Sequence, residues 1–254
     1  MAALSIISPD YFVLDGVSSE TVGLYVDTPP IPPLAKQRYT TWKTGVDMDN
    51  SSPDDVWENI TLTFKCFIFM QNDNFDLSAI YAFIRGKSTL QYSRFPGRYF
   101  KIRQIGGITP SQSYDGHKIT LTVQFVCAPF KYHTQNPEFT PQDSVIVNPG
   151  TRYSRPLYHI TQHETPGYGY DEEATIMVNG QSLKIYFPDS YSHPIDMIVD
   201  AERMIAYSID NPQFPDGENW TRYTYGFYPF LSPGNNAITA TGCSVKVTGN
   251  WRDY

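Results

Sequence analysis

Several groups of side chains in this chain have types and spacings that chemistry could use. Asp47, Asp49, Ser51, Asp55 and Glu58, within "DMDNSSPDDVWE", fall at positions 1, 3, 5, 9 and 12 of a calcium-binding EF-hand loop. That loop needs glycine at position 6 for its sharp turn and a helix on either side. Here position 6 is Ser52, position 7 is Pro53, and the flanks read as strands or loops, so no metal site is assigned. His159 and His163 stand four apart, the spacing that shares a zinc ion on a helix. Pro156 and the β-rich context put them instead on a strand, where four residues span about 13 Å. Asp171, Glu172 and Glu173 follow the Gly/Tyr-rich "PGYGYDEE" and read as solvating a loop tip rather than as the facing carboxylates of a glycosidase. Ser, His and Asp are all present, yet no G-x-S-x-G or comparable nucleophile setting occurs. The chain is read as a non-enzyme with no cofactor.

Binding chemistry has more material. Tyr168, Tyr170, Tyr191, Trp220, Tyr223 and Tyr225 lie in loop-like segments, where exposed rings can stack on sugars. Tyr168, Tyr170 and Trp220 are the candidates for that role, and the competing reading makes such aromatics core or interface anchors. Charges are sorted along the first half. Asp47, Asp49, Asp54, Asp55 and Glu58 form an acidic stretch, and Arg85, Lys87, Arg94, Arg98, Lys101 and Arg103 a basic one with no acid between them. Tyr92, Tyr99 and Phe100 interleave the basic stretch as in a nucleic-acid platform. However, acids and bases balance up to Tyr132, and the whole net charge of −7 lies beyond it, which argues against broad phosphate binding.

These residues must be positioned by a mainly β framework. The 254 residues are 41% hydrophobic, enough for a real core, and 19 Tyr, 15 Phe and 20 Pro favour strands and turns over helices. "ENITLTFKCFIFM" alternates Ile60, Leu62, Phe64, Cys66, Ile68 and Met70 on one face, and "HKITLTVQFVCAPF" does so with Ile119, Leu121, Val123 and Phe125. One helix is predicted between about Asp73 and Arg85, with Leu77, Ile80, Tyr81 and Ile84 as its apolar stripe, acids in its first turn and Gly86 at C′. "TPPIPP" is extended and lies at an edge or in a loop. Turns are expected at Asp15-Gly16, Phe95-Pro96-Gly97 and, as a hairpin, Asn179-Gly180. Cys66, Cys127 and Cys243 read as buried free thiols, which with no signal peptide or membrane-length apolar run points to assembly in a reducing cytoplasm.

The Pro/Asn/Gln-rich stretch between Tyr132 and Gly150 marks a boundary between an α+β domain, 1–132, and a β-sandwich or jelly-roll domain, 133–254. In the latter, "GFYPFLSPGNNAITATG" reads as an extended piece turning at Pro233-Gly234 into the strand Ala237 to Thr241. Asn235 and Asn236 take positive φ or bond neighbouring backbone, and Gly242 marks a bulge or close approach.

In order, "VNPGTRYSRPLYHI", "IMVNGQSLKI", "IVDAERMIAYS" and "YPFLSPGNNAITATG" resemble the C-terminal half of the distal tail proteins of long, flexible-tailed bacteriophages. "LDGVSSETVGLYV" and "LSAIYAFIRGKSTLQYSRFPGRYFKIRQI" are similar to the opening strand pair and the helix with its following strands, so the resemblance runs nearly end to end. The chain departs from it at "GVDMDNSSPDD", where a shorter Gly-Arg-Asp-Gly-like turn is expected. The resemblance implies a ring-forming first domain and a galectin-like second domain, joined in a homo-hexamer, single or as two rings back to back. It further implies that the ring joins the tail tube to the tail-tip baseplate or adsorption apparatus and its hub, lysin and receptor-binding proteins. DNA would only pass through the lumen, and the protein would reside in the virion. Such a ring needs a head-to-tail interface. Asp47, Asp49, Asp54 and Asp55 of one subunit facing Arg94, Arg98, Lys101 and Arg103 of the next would suit it, while pairing within one subunit or two solvated faces stays open. The alternative is a carbohydrate-binding module or lectin.

Overall fold

The computed structural model describes residues 10–43, 49–69, 77–112, 118–141, 144–165, 169–170, 173–187, 194–209 and 218–254, with the backbone alone at 40–43, 49–55, 112, 164–165, 169–170 and 218. The chain divides into two compact units, Met1–Thr134 with Tyr254, and Gln135–Asp253.

The first unit contains β1 (Phe12–Leu14), β2 (Val17–Ser18), β3 (Tyr25–Thr28), β4 (Gln37–Lys43), β5 (Asp49–Trp57), β6 (Ile60–Phe69), α1 (Ser78–Ile84), β7 (Thr89–Tyr92), β8 (Arg98–Gln112), β9 (Lys118–Cys127) and β10 (Lys131–His133). The main sheet runs in the order β2-β1-β7-β8-β9-β6-β3, with every pair named here antiparallel. Period-two alternation decides its inner face. Ile60, Leu62, Phe64 and Cys66 of β6, and Ile119, Leu121, Val123, Phe125 and Cys127 of β9, are buried together. Phe12 meets Phe64 at 5.0 Å and Phe125 at 5.7 Å, and burying each such ring contributes about 1.5–3 kcal/mol.

Helix α1 covers this face with Leu77, Ile80, Phe83 and Ile84. Tyr81, expected on the stripe, is 43% exposed, and Phe83 takes its place by packing on Phe12 at 6.2 Å. The chain leaves the helix through Gly86 at φ 73, the left-handed C′ position expected of it, whereas the acids before Leu77 lie outside the described residues. β8 reaches 15 residues because register shifts between Ile102 and Gln104 and between Ile105 and Gly107 let it bend along β9. Among the described residues, β4 and β5 pair only with each other. The proline segment after the edge strand β3 forms no strand. Tyr92 Oη donates to the Pro30 carbonyl at 2.6 Å, and Ile31 and Leu34 project into solvent.

The second unit contains β11 (Glu138–Phe139), β12 (Val145–Asn148), β13 (Leu157–Gln162), β14 (Glu164–Thr165), β15 (Gly169–Tyr170), β16 (Glu173–Val178), β17 (Gln181–Tyr186), β18 (Asp196–Asp200), β19 (Ile205–Ser208), β20 (Glu218–Asn219), β21 (Thr224–Gly226), β22 (Gly234–Thr241), β23 (Cys243–Thr248) and β24 (Arg252–Asp253). A six-stranded sheet, β11-β23-β13-β18-β19-β20, and a five-stranded sheet, β12-β22-β16-β17-β21, send alternate residues into one core. Two antiparallel sheets closing on a common apolar layer make this a β-sandwich. The Asn179-Gly180 turn has φ of 49° and 82°, the type I′ geometry that suits strand twist. Trp251 stacks on Phe139 at 6.2 Å, anchoring the end of the chain on this core.

Candidate functional site

Catalytic and metal chemistry find little support. β5 occupies most of the span with EF-hand spacing as an extended strand opposite β4, with Lys43 facing Asp49, so that span does not curl around an ion. Among the described residues, no group of three His, Cys, Asp or Glu could hold a metal. His159 Nδ1 lies 3.1 Å from Glu138 Oε1, and His163 uses its backbone N–H on the Gly242 carbonyl. The three thiols are free and buried, and burial pushes Cys66 and Cys127 up to about 12, which removes them as nucleophiles. No helix among the described residues is long and apolar enough to cross a membrane.

What the fold builds instead is a set of polar clamps, buried at Asp10, Asn148 and Asn236 and exposed at Asp15, that hold loops in place. Asp10 accepts from Arg94 Nε at 3.0 Å, Arg94 Nη2 at 2.8 Å and Ser93 Oγ at 2.9 Å. The Arg94 bonds outweigh burial and hold its carboxyl below the usual range. Asp15, in the β1–β2 turn, accepts from Thr89 N and Thr89 Oγ1, both at 2.8 Å, and from Ser88 Oγ at 2.9 Å. Burial alone would raise this carboxyl, but those donors prevail and lower it.

In the second unit, Asn148 Nδ2 donates to the Arg152 and Leu231 carbonyls, each at 3.0 Å, and its Oδ1 accepts from Gly150 N. Asn236 is fully buried. Its Oδ1 accepts from Ser232 N at 2.8 Å and Asn179 Nδ2 at 2.7 Å. Its Nδ2 donates to the carbonyls of Ser232, Gly234 and Ile146. Of the two roles open to the Asn pair, bonding neighbouring backbone is the one Asn236 takes. Residues 231–236 are thereby tied to β12 and to the tip of the β16–β17 hairpin.

The basic stretch does not stay together. Arg94 is held by Asp10 of its own subunit, so it is removed from the interface set. Arg98 Nη1 donates to the Gly97 carbonyl, and Lys101 lies on the opposite side of β8 with its Nζ 4.1 Å from the Tyr132 ring centre. Arg103 is exposed at the first bulge. Asp49, Asp54 and Asp55 lie on β5, of which only the backbone is described there, and Asp47 is outside the described residues.

The sugar-stacking set needs a correction too. Trp220 is 1% exposed, its ring in the sandwich core edge-on to Tyr223 at 5.6 Å, because the turn after β20 folds inward rather than forming an open loop. Tyr170 sits on β15, and Tyr168 lies outside the described residues. An exposed aromatic pair occurs elsewhere. Tyr186 and Tyr225 meet with ring centres 5.3 Å apart and planes at 82°, beside a Lys184–Glu173 ion pair of 2.9 Å. The hairpin turn could have pointed to it, since a two-residue loop at 179–180 makes Glu173 face Tyr186 and Thr175 face Lys184.

No family model and no curated protein matches the sequence. Solved structures do match its fold. The SPP1 Dit protein, described as a paradigm of the hub adsorption apparatus in phages infecting Gram-positive bacteria, aligns over 94% of this chain and 97% of its own, with 16% identity and a TM-score of 0.67. A chain of the phage P2 baseplate, in its activated conformation with Ca, aligns over 94% of this chain and 98% of its own, with 9% identity and a TM-score of 0.52. Both units of the chain therefore share their fold with hub and baseplate proteins of phage tails, in agreement with the resemblance carried by the sequence motifs.

Proposed function

We propose that this chain is a structural distal tail protein, a non-enzymatic hub that joins a phage tail tube to its tail-tip or baseplate adsorption apparatus. The observation that carries this reading is the end-to-end likeness to SPP1 Dit across both units. The first unit closes a homo-hexameric ring with a lumen for DNA in transit, and the second unit presents its loops to neighbouring tail-tip proteins in the virion. With Arg94 withdrawn, the exposed Arg103 leads the cations offered to Asp47, Asp49, Asp54 and Asp55 of the next subunit, with Arg98 and Lys101 flanking it from opposite sides of β8. A head-to-tail pairing of this kind closes a ring without needing self-complementary patches. Two observations on unit one agree with an assembly role: the exposed apolar pair Ile31, at 90%, and Leu34, at 74%, and the exposed Arg103.

Light scattering of the purified chain, with negative-stain images of the same peak, tests the proposal. Rings of hexamer or paired-hexamer mass are expected, and a chain that stays monomeric at its highest soluble concentration overturns it. The charge pairing is tested separately. Arg103→Glu together with Arg98→Glu should weaken assembly, as should added salt, and insensitivity to both refutes that pairing while leaving the ring.

A further inference from the structure

We propose that the outer face of the five-stranded sheet in the second unit carries a binding site for neutral saccharides, built from the rings of Tyr186 and Tyr225 and the Glu173–Lys184 pair. The inference stands on this face alone and is independent of ring assembly.

Strand register brings these groups together. Glu173 faces Tyr186 across the hairpin, and in the next outward row Thr175, Lys184 and Tyr225 lie side by side on three adjacent strands. Thr241 continues that row on β22. All project away from the core, because the alternate residues Ala174, Ile176, Leu183 and Ile185 fill it. Tyr186 is 41% and Tyr225 57% exposed, so their near-perpendicular rings form a corner that a ligand can reach from solvent. The C–H face of a pyranose presents apolar surface of that shape, and flat aromatic rings offer it large contact area at small entropic cost.

The polar half of the site is already ordered. Lys184 Nζ donates to Glu173 Oε1 at 2.9 Å, with Tyr186 directly across the strand pair and Thr175 next along the same face. A sugar hydroxyl both donates and accepts. It can donate to the remaining lone pairs of Glu173 and accept from Lys184, whose ammonium has three donors. Because the pair is already formed before the ligand arrives, less ordering remains to be done on binding. β21 is the edge strand of its sheet, so the corner is open on one side and an oligosaccharide can run past it.

Charge separates neutral from anionic ligands. The net charge of −7 belongs wholly to the second unit, which repels phosphate-bearing and uronic polymers. The layout also differs from a protein-docking patch, which places aromatics at a desolvated centre and charges at the rim. Here the ion pair lies between the aromatic edge and a threonine floor.

The full-length chain should be screened by saturation-transfer NMR against maltotetraose, cellotetraose, chitotetraose and β-galactotetraose, with tetragalacturonate as the acidic probe. Transfer to the ring C–H protons of at least one neutral probe is expected, with none to the acidic one. Tyr225→Ala should weaken binding about tenfold or more, and Glu173→Gln should weaken it as well, with the near-UV spectrum of each variant unchanged. Silence from every neutral probe, preference for the acidic one, or binding undiminished in Tyr225→Ala overturns the proposal. If a variant loses its near-UV spectrum, Tyr225→Leu, which keeps an apolar side chain at the edge strand, takes its place with the same criterion.

Discussion

Asn236→Ala removes every hydrogen bond of one fully buried amide while changing little apolar area, so it isolates what the clamp on residues 231–236 contributes. Its partners differ in their access to water. Gly234 and Asn179 are exposed and recover solvent when the amide is gone. The Ile146 carbonyl is buried, and half-buried Ser232 loses a partner for both its N–H and its carbonyl. Three groups left short of a partner at about 1 kcal/mol each give a loss of about 3 kcal/mol. Urea unfolding of the full chain, followed by near-UV circular dichroism, reads this as a lower midpoint at unchanged slope. The neighbouring Asn235→Ala, on the exposed side of β22, should stay within about 0.5 kcal/mol of the parent. A loss below about 1 kcal/mol for Asn236→Ala would refute the reasoning, because it would mean that the segment keeps its path without the clamp.

Two further perturbations probe other supports. Asp10 and Asp15 both have folded-state carboxyls lowered by their donors, so the stability they contribute is present above the unfolded carboxylate range near pH 4 and is lost as pH falls through the folded values. A urea midpoint measured from pH 6 down to pH 2 should fall on acidification, and Asp10→Asn with Asp15→Asn should flatten that fall; an unchanged acid limb would show that other carboxylates carry it. Gly242 stands at φ 73, and a β-carbon there would collide with the Glu173 carbonyl on β16, so Gly242→Ala should cost more than about 2 kcal/mol by the same urea assay, against about 1 kcal/mol for the left-handed backbone alone if the corner can draw away from β16.

Local pattern carried much of the architecture. Alternation in β6 and β9 places Ile60, Leu62, Phe64, Cys66, Ile119, Leu121, Val123 and Phe125 inward in the sequence and in the sheet, because a pleated strand has a period of two wherever it sits; Met70 lies outside the described residues, and Phe67, on the opposite face, is buried as well. The Asp15-Gly16 and Asn179-Gly180 turns follow from the few residues that tolerate positive φ. Helix α1 was half legible. Its end is set by Gly86, a local matter, but the exchange of Tyr81 for Phe83 depends on Phe12, far away in the chain, and no helical wheel contains that partner.

The candidate sites were less legible for the same reason. A run of like charges looks like a patch in one dimension, yet strand alternation sends Arg98 and Lys101 to opposite sides of β8, and long-range pairing gives Arg94 to Asp10. Trp220 sits among polar residues in sequence, so it reads as exposed, but the tertiary fold turns it into the core. The sequence by itself determined the long alternating strands, the main turns, the buried thiols and, through its ordered motifs, the likeness to phage tail hubs, since each depends on residues close together in the chain. Only the tertiary structure decided which charges are neutralised internally, which rings remain on the surface and how Asn236 holds the loop beside it. Those outcomes depend on contacts between distant segments, and the free energy of a polar or aromatic side chain is set by the neighbours it meets in space.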